Sequence, residues 1–218
     1  MSLRVSLVAA LVALPFAVLV AWALSRSRMP GKPVLNLLVF LPLVMPPVVT
    51  GYGLLILFGK QGAIGGTLDE VFGITLAFRW TGAALAAAVM GFPLMVRAIR
   101  QGFDAVDTRL EDAASTLGAS PRAVFLTITL PLIAPGVIAG AILGFAKALG
   151  EFGATITFVA SIPGQTETLP SAIYTLLQVP GEEPAALRLI ACSVVLAIGA
   201  LIASEWLTRR AAERVRGG

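Results

Sequence analysis

Long apolar runs separated by short polar stretches occupy almost the whole chain. A helix needs about 20 apolar residues to cross a hydrocarbon core. Five runs meet that need, at about residues 3–24, 34–58, 80–99, 132–159 and 187–207. The first is too long for a signal-peptide core, and Arg26 and Arg28 follow it rather than a small-residue cleavage site. The second contains Pro42, Pro46 and Pro47. Proline removes a helical donor and clashes with the preceding turn, so this span is expected to be kinked or broken. The polar connection 164–184 has an apolar middle, 169–179, suited to a short helix lying in the interface or dipping into the membrane.

One polar stretch, about 102–130, has an organisation of its own. Asp107 is placed to cap a helix whose first turn holds Glu111 and Asp112, where carboxylates suit the positive helix end. Leu110, Ala113, Ala114 and Leu117 share one face at helical spacing. Gly118 is placed to end the helix in a left-handed conformation. Ser120-Pro121 then starts a second short helix, serine as cap and proline in its first turn. Pro131 is expected to separate this helix from the fourth span. The bland reading is an ordinary amphipathic helix pair at the membrane surface. The functional reading is a docking surface, since neither lipid nor a packed core needs a rigid polar helix–turn–helix between two spans.

Composition supports a membrane protein: 57% of the 218 residues are hydrophobic and 13% charged, about half the usual charged fraction. Basic residues give a direction. With simple alternation, Arg26, Arg28, Lys32, Arg97, Arg100, Arg109, Arg122, Arg209, Arg210, Arg214 and Arg216 fall on one side, and Arg4, Lys60, Arg79 and Arg188 on the other. The bias of eleven to four assigns the first set to the cytoplasm, the N-terminus to the outside and the C-terminus to the inside. The same distribution explains the net charge of +4 by membrane flanks and leaves no role for nucleic acid.

Several chemistries lack their residues. A single cysteine, Cys192, excludes an internal disulfide, and no histidine is present for metal ligation or general-base work. Cys192 reads as a small apolar packing residue. The glycine cluster 59–66 lacks the Lys-Ser/Thr ending of a phosphate-binding loop, so no nucleotide site, cofactor or enzymatic activity is expected. No internal repeat is visible, which disfavours a self-sufficient carrier built from inverted halves.

Two intramembrane features carry candidate chemistry. Lys147 and Glu151 lie four apart on one helix face. A charge at mid-bilayer costs about 2.5–3.5 kcal/mol on insertion scales, so such residues usually face the bundle or a wet path. Two readings stand: an ion pair that locks helix packing, or a pathway feature in which Lys147 attracts a dianion and Glu151 limits its retention. Pro46, Pro47 and Gly51 are either a flexible gate or a simple kink.

The helix–turn–helix motif, Asp112-Ala113-Ala114 followed by Gly118 and by Ile128, Leu130 and Pro131, resembles the coupling loop of ABC-importer permeases. There the loop is gripped by the ATPase subunit. The departure is Asp112 where the family usually has glutamate, with Glu111 one residue earlier. Leu41 to Tyr52, Phe145 to Phe158, Arg109-Leu110-Glu111 and Thr116 to Ala119 extend the resemblance to the bacterial molybdate permease family, with sulfate and thiosulfate permeases sharing looser versions. The resemblance implies an all-α fold of the type I importer class, about five transmembrane helices in one permease domain over residues 1–218. It also implies a second copy of the chain, two ATP-binding cassette subunits and an extracytoplasmic oxyanion-binding protein. An extra N-terminal span found in some relatives is expected to be absent. The expected function is ATP-driven import of molybdate, with tungstate or sulfate as the alternative cargo and an ATP-independent carrier or channel as the alternative class.

Overall fold

The computed structural model describes residues 1–216. Gly218 lies outside the described residues, as do the side chains of Arg209, Arg214 and Arg216 from the C-terminal basic flank. In order, the helices are α1 (Ser2–Arg26), α2 (Lys32–Val44), α3 (Pro47–Phe58), α4 (Ala63–Phe72), α5 (Trp80–Ala105), α6 (Thr108–Thr116), α7 (Pro121–Val124), a π turn (Phe125–Thr129), α8 (Leu130–Leu149), α9 (Gly153–Val159), α10 (Leu169–Leu177) and α11 (Glu183–Arg216). Four helical stretches are long and apolar enough to cross a bilayer alone: α1, α5, the run from Pro121 to Leu149, and α11. The apolar pair α2 and α3, bent by 116° to each other, makes a fifth if the two count as one broken span.

The centre of the bundle is α5, packed against α1, α8 and α9. Lipid offers no hydrophobic gain for helix pairing, so close backbone approach through small residues drives it. Accordingly α1 buries Ala9, Ala13, Ala17 and Ala21 at four-residue spacing, and α5 buries Ala83, Ala84, Ala86, Ala87 and Gly91. On α8 the matching ridge is Gly136, Gly140 and Gly144. A methyl group on Gly136 would lie 3.1 Å from the Gly102 Cα, and one on Gly140 3.0 Å from the Met95 carbonyl oxygen. The outward faces of α1 and α11 carry exposed large apolar residues such as Leu11, Leu19, Val195 and Leu201, as lipid-facing surfaces do.

The second span, expected to be kinked or broken, is broken: Val44 ends one helix and Pro47 starts another, because Pro46-Pro47 withholds two donors in succession. Three expectations change. The fourth span, expected over 132–159, ends as a continuous helix at Leu149. The Glu151 carboxylate accepts the Ala154 N–H at 2.9 Å, a donor that an unbroken helix would direct to the Gly150 carbonyl, and α9 restarts there. Pro131 does not separate α7 from the span. The Leu130 N–H reaches back five residues to the Phe125 carbonyl, and this widened turn admits Pro131 without breaking the helix. Helix α4, between the second and third crossings, was not anticipated; its glycine-rich start concealed it. Cys192, expected to be packed, is exposed on α11.

The two ends of the bundle are marked by specific contacts. At one end, the Ser2 hydroxyl accepts the Leu169 N–H at 2.6 Å, and the Arg4 guanidinium stacks 3.9 Å above the Trp80 ring. At the other end, Arg26 closes α1 beside the last turn of α5 and the α6–α7 loop. The chain start and the 164–184 connection therefore lie opposite the α6–α7 loop.

Candidate functional site

The α6–α7 loop is built as its residues dictate. Asp107 caps α6 by accepting the Arg109 N–H at 3.0 Å. The first turn holds Glu111; Asp112 lies just beyond it. Gly118 takes φ +88°, and the Ala119 N–H returns to the Ala114 carbonyl at 3.1 Å, closing the helix end as a left-handed cap does. Ser120 caps α7 through the Ala123 N–H at 3.3 Å, with Pro121 in the first turn.

The two carboxylates of this loop face different ways. Glu111 turns inward: one oxygen accepts the Thr129 hydroxyl at 2.7 Å, and the other lies 3.7 Å from an Arg26 nitrogen. The same Arg26 nitrogen donates to the Phe103 and Val106 carbonyls, each at 3.2 Å. One guanidinium thus ties α1, the end of α5 and α6 together. Asp112 turns outward, exposed, with no hydrogen bond or ion pair within the chain among the described residues. Ala113 and Gly118 are also exposed, Ala114 is half-buried, and Leu117 is 89% exposed. The outer surface of the loop thus presents a strongly exposed leucine beside an unpaired carboxylate and small residues. Arg26 and Thr129 were not among the residues singled out from the sequence. Arg26 looked like any flank cation, and nothing in the linear pattern marked Thr129.

The intramembrane pair sits at the break between α8 and α9. Lys147 Nζ lies 2.6 Å from Glu151 Oε2, while Glu151 Oε1 caps α9 at Ala154. Glu151 is 2% exposed, and its carbonyl also accepts the Thr155 hydroxyl at 3.3 Å. Both carboxylate oxygens are therefore engaged within the chain. The Lys147 side chain keeps 29% of its surface exposed.

The break in the second span packs directly on this one. A methyl group on Gly51 would meet the Ala154 carbonyl oxygen at 2.5 Å, and one on Gly153 would meet the Pro47 Cβ at 2.7 Å. Gly51 lies within α3, away from the bend, and lets α3 seat on α9. Pro46 and Pro47 form the bend itself and are exposed. The candidate residues of the two spans are brought together, while those of the α6–α7 loop form a separate surface.

A family model described as a binding-protein-dependent transport system inner membrane component matches residues 13–213. The chain is 58% identical over 214 residues to the molybdenum transport system permease protein ModB of Escherichia coli (strain K12), covering 98% of this chain and 93% of that protein. It is 49% identical over 218 residues to the ModB protein of Haemophilus influenzae, covering 100% and 95% respectively. Its fold resembles a chain of the MetNI methionine ABC transporter in inward facing conformations, with a TM-score of 0.75 at 16% identity, over 96% of this chain and 92% of that one.

Proposed function

The chain belongs to the family of binding-protein-dependent transport system inner membrane components, and on that premise we propose that it is the membrane-spanning permease subunit of an ATP-driven importer of molybdate. The carrying observation is the α6–α7 loop: Asp112, Ala113, Leu117 and Gly118 are presented outward, while Glu111 is bound inward to Arg26 and Thr129. Such a surface takes a push from a partner and delivers it to α1, α5 and α8 at once. The names of the two relatives support molybdate as cargo.

In this reading two copies of the chain form the pathway, two ATP-binding cassette subunits dock on the loops, and an extracytoplasmic binding protein delivers the oxyanion. The permease hydrolyses nothing itself. The loop faces the cytoplasm, the N-terminus and the 164–184 connection face outward, and the C-terminus is inside. The basic bias along the chain supports this orientation. Asp112 is the carboxylate that meets the ATPase, because Glu111 is already engaged. Ala113 and Ala114 permit close approach, and Gly118 aims α7. Pro131, held after a π turn, keeps α7 in line with α8 so that loop movement is passed to the span.

The Lys147–Glu151 pair is read as a brace of the broken span, since both carboxylate oxygens are engaged. Pro46 and Pro47 supply the bend, and Gly51 the contact that holds it against α9. The deciding experiment uses proteoliposomes containing the permease and ATPase subunits, with binding protein and labelled molybdate outside. Uptake should require ATP on the ATPase side and should be outcompeted by unlabelled molybdate. Equal uptake without ATP would overturn the importer reading, and uptake of sulfate but not molybdate would overturn the cargo.

A further inference from the structure

At the end of the bundle opposite the α6–α7 loop lies an open cup of about 780 Å³. Three separate chain segments bring polar side chains to it: Tyr52, Lys60 and Gln61 from the end of α3 and beyond, Thr75 and Arg79 before α5, and Gln165 after α9. Arg79 is exposed, and its guanidinium has no hydrogen bond or ion pair within the chain among the described residues. Lys60 is 69% exposed and reaches Asp69 only at 3.9 Å. Asp69 is the acidic group beside the cup, and it also accepts the Thr75 hydroxyl at 2.9 Å. The lining itself carries cationic and amide donors and no carboxylate.

Two of the three segments that carry these donors include costly backbone conformations. Phe78, directly before Arg79, takes φ +58°, and Ala160, at the end of α9, takes φ +59° with ψ −172°, a region almost reserved for glycine. The loop after Ala160 is fixed by Thr166, which is 1% exposed; its hydroxyl accepts the Ile162 N–H at 2.9 Å and donates to the Ala160 carbonyl at 3.1 Å. Gln165 is the next residue. Strain retained beside a polar cup is expected where the arrangement itself is used. The cup is also continuous with the exposed face of α3, along which Val48, Tyr52 and Ile56 recur every four residues up from the bend.

We propose that this cup is a receiving site for the tetrahedral oxyanion, held by Arg79 and Lys60 with the amides of Gln61 and Gln165, on its way from the binding protein to the face of α3. The proposal rests on the importer reading above. A guanidinium fork matches two oxygens of a tetrahedral dianion, and a lysine adds a point charge. An open, partly screened site holds an ion briefly, which suits a conduit that must release it.

The test uses the assembled transporter with Trp22→Phe and Trp206→Phe, which leaves Trp80, the neighbour of Arg79, as the remaining one of three tryptophans. Titration with molybdate, without binding protein, should change Trp80 fluorescence saturably. Arg79→Gln with Lys60→Gln should weaken that titration about tenfold or more, as loss of charged hydrogen bonds does, while Arg79→Lys, which keeps the charge and loses the fork, should weaken it by less. In proteoliposomes the double variant should import molybdate about tenfold more slowly, with unchanged affinity for the loaded binding protein. No saturable change in the parent, or equal titration in the double variant, would overturn the site. Lost affinity for the binding protein would overturn it in favour of a protein-docking surface. A parent that titrates with molybdate but moves only sulfate would sink the molybdate cargo and leave an oxyanion site standing.

Discussion

Glu151 shows how much one side chain does in this membrane bundle. It neutralises Lys147 and caps α9 while almost fully buried. Removing its partner is therefore worse than removing both charges. Lys147→Met should leave a buried unpaired carboxylate, a defect of about 3–5 kcal/mol, seen as loss of assembled protein in mild detergent. Lys147→Met with Glu151→Gln keeps an acceptor for the Ala154 N–H and carries no net charge. It should recover most of the assembly and uptake. A double variant that assembles fully but imports nothing would return the pair to the pathway. Gly51 makes the same point about space, since the contact with Ala154 leaves no room for even a methyl group.

The element that distinguishes this protein from a plain helical bundle is the α6–α7 pair, and its two kinds of anchoring predict two different failures. Gly118 sits in open space at φ +88°, so a side chain there meets no atom but strains the backbone by about 1–2 kcal/mol. Gly118→Val should redirect α7, with normal membrane levels but weakened co-purification of the ATPase. Arg26→Gln leaves the outer surface intact and cuts its ties to α1 and the end of α5. That variant should still bind the ATPase, yet hydrolyse several-fold more ATP per ion imported. Tight coupling in Arg26→Gln, measured as that ratio, would remove the transmission role given to Arg26.

For the whole molecule, the contacts at the two ends set relative sidedness without reference to charge. Ser2, Arg4, Trp80 and Leu169 meet at one end, and Arg26, Phe103 and Glu111 at the other. With the basic bias placing the α6–α7 loop inside, alkaline phosphatase, active only outside the cytoplasm, should be active when fused at Gly164 and inactive at Gly118. Activity at Gly118 would invert the orientation and leave the eleven-to-four basic bias without an explanation.

The spans, the bias of charge and the capped helix–turn–helix were legible in the sequence because each rests on local rules. Apolar length, flanking cations, a cap residue and a glycine at a helix end act within a turn or two of themselves. What only the tertiary structure decided depends on which side chain reaches which backbone group. Glu151 reaches Ala154 and ends a span ten residues early; Arg26 bridges to Glu111, eighty-five positions away in the chain. Asp112 and Glu111 are neighbours of the same charge, and the places of Thr129 and Arg26 decide that Glu111 is the one held inward. No linear pattern encodes these pairings, because they are fixed by packing of distant helices.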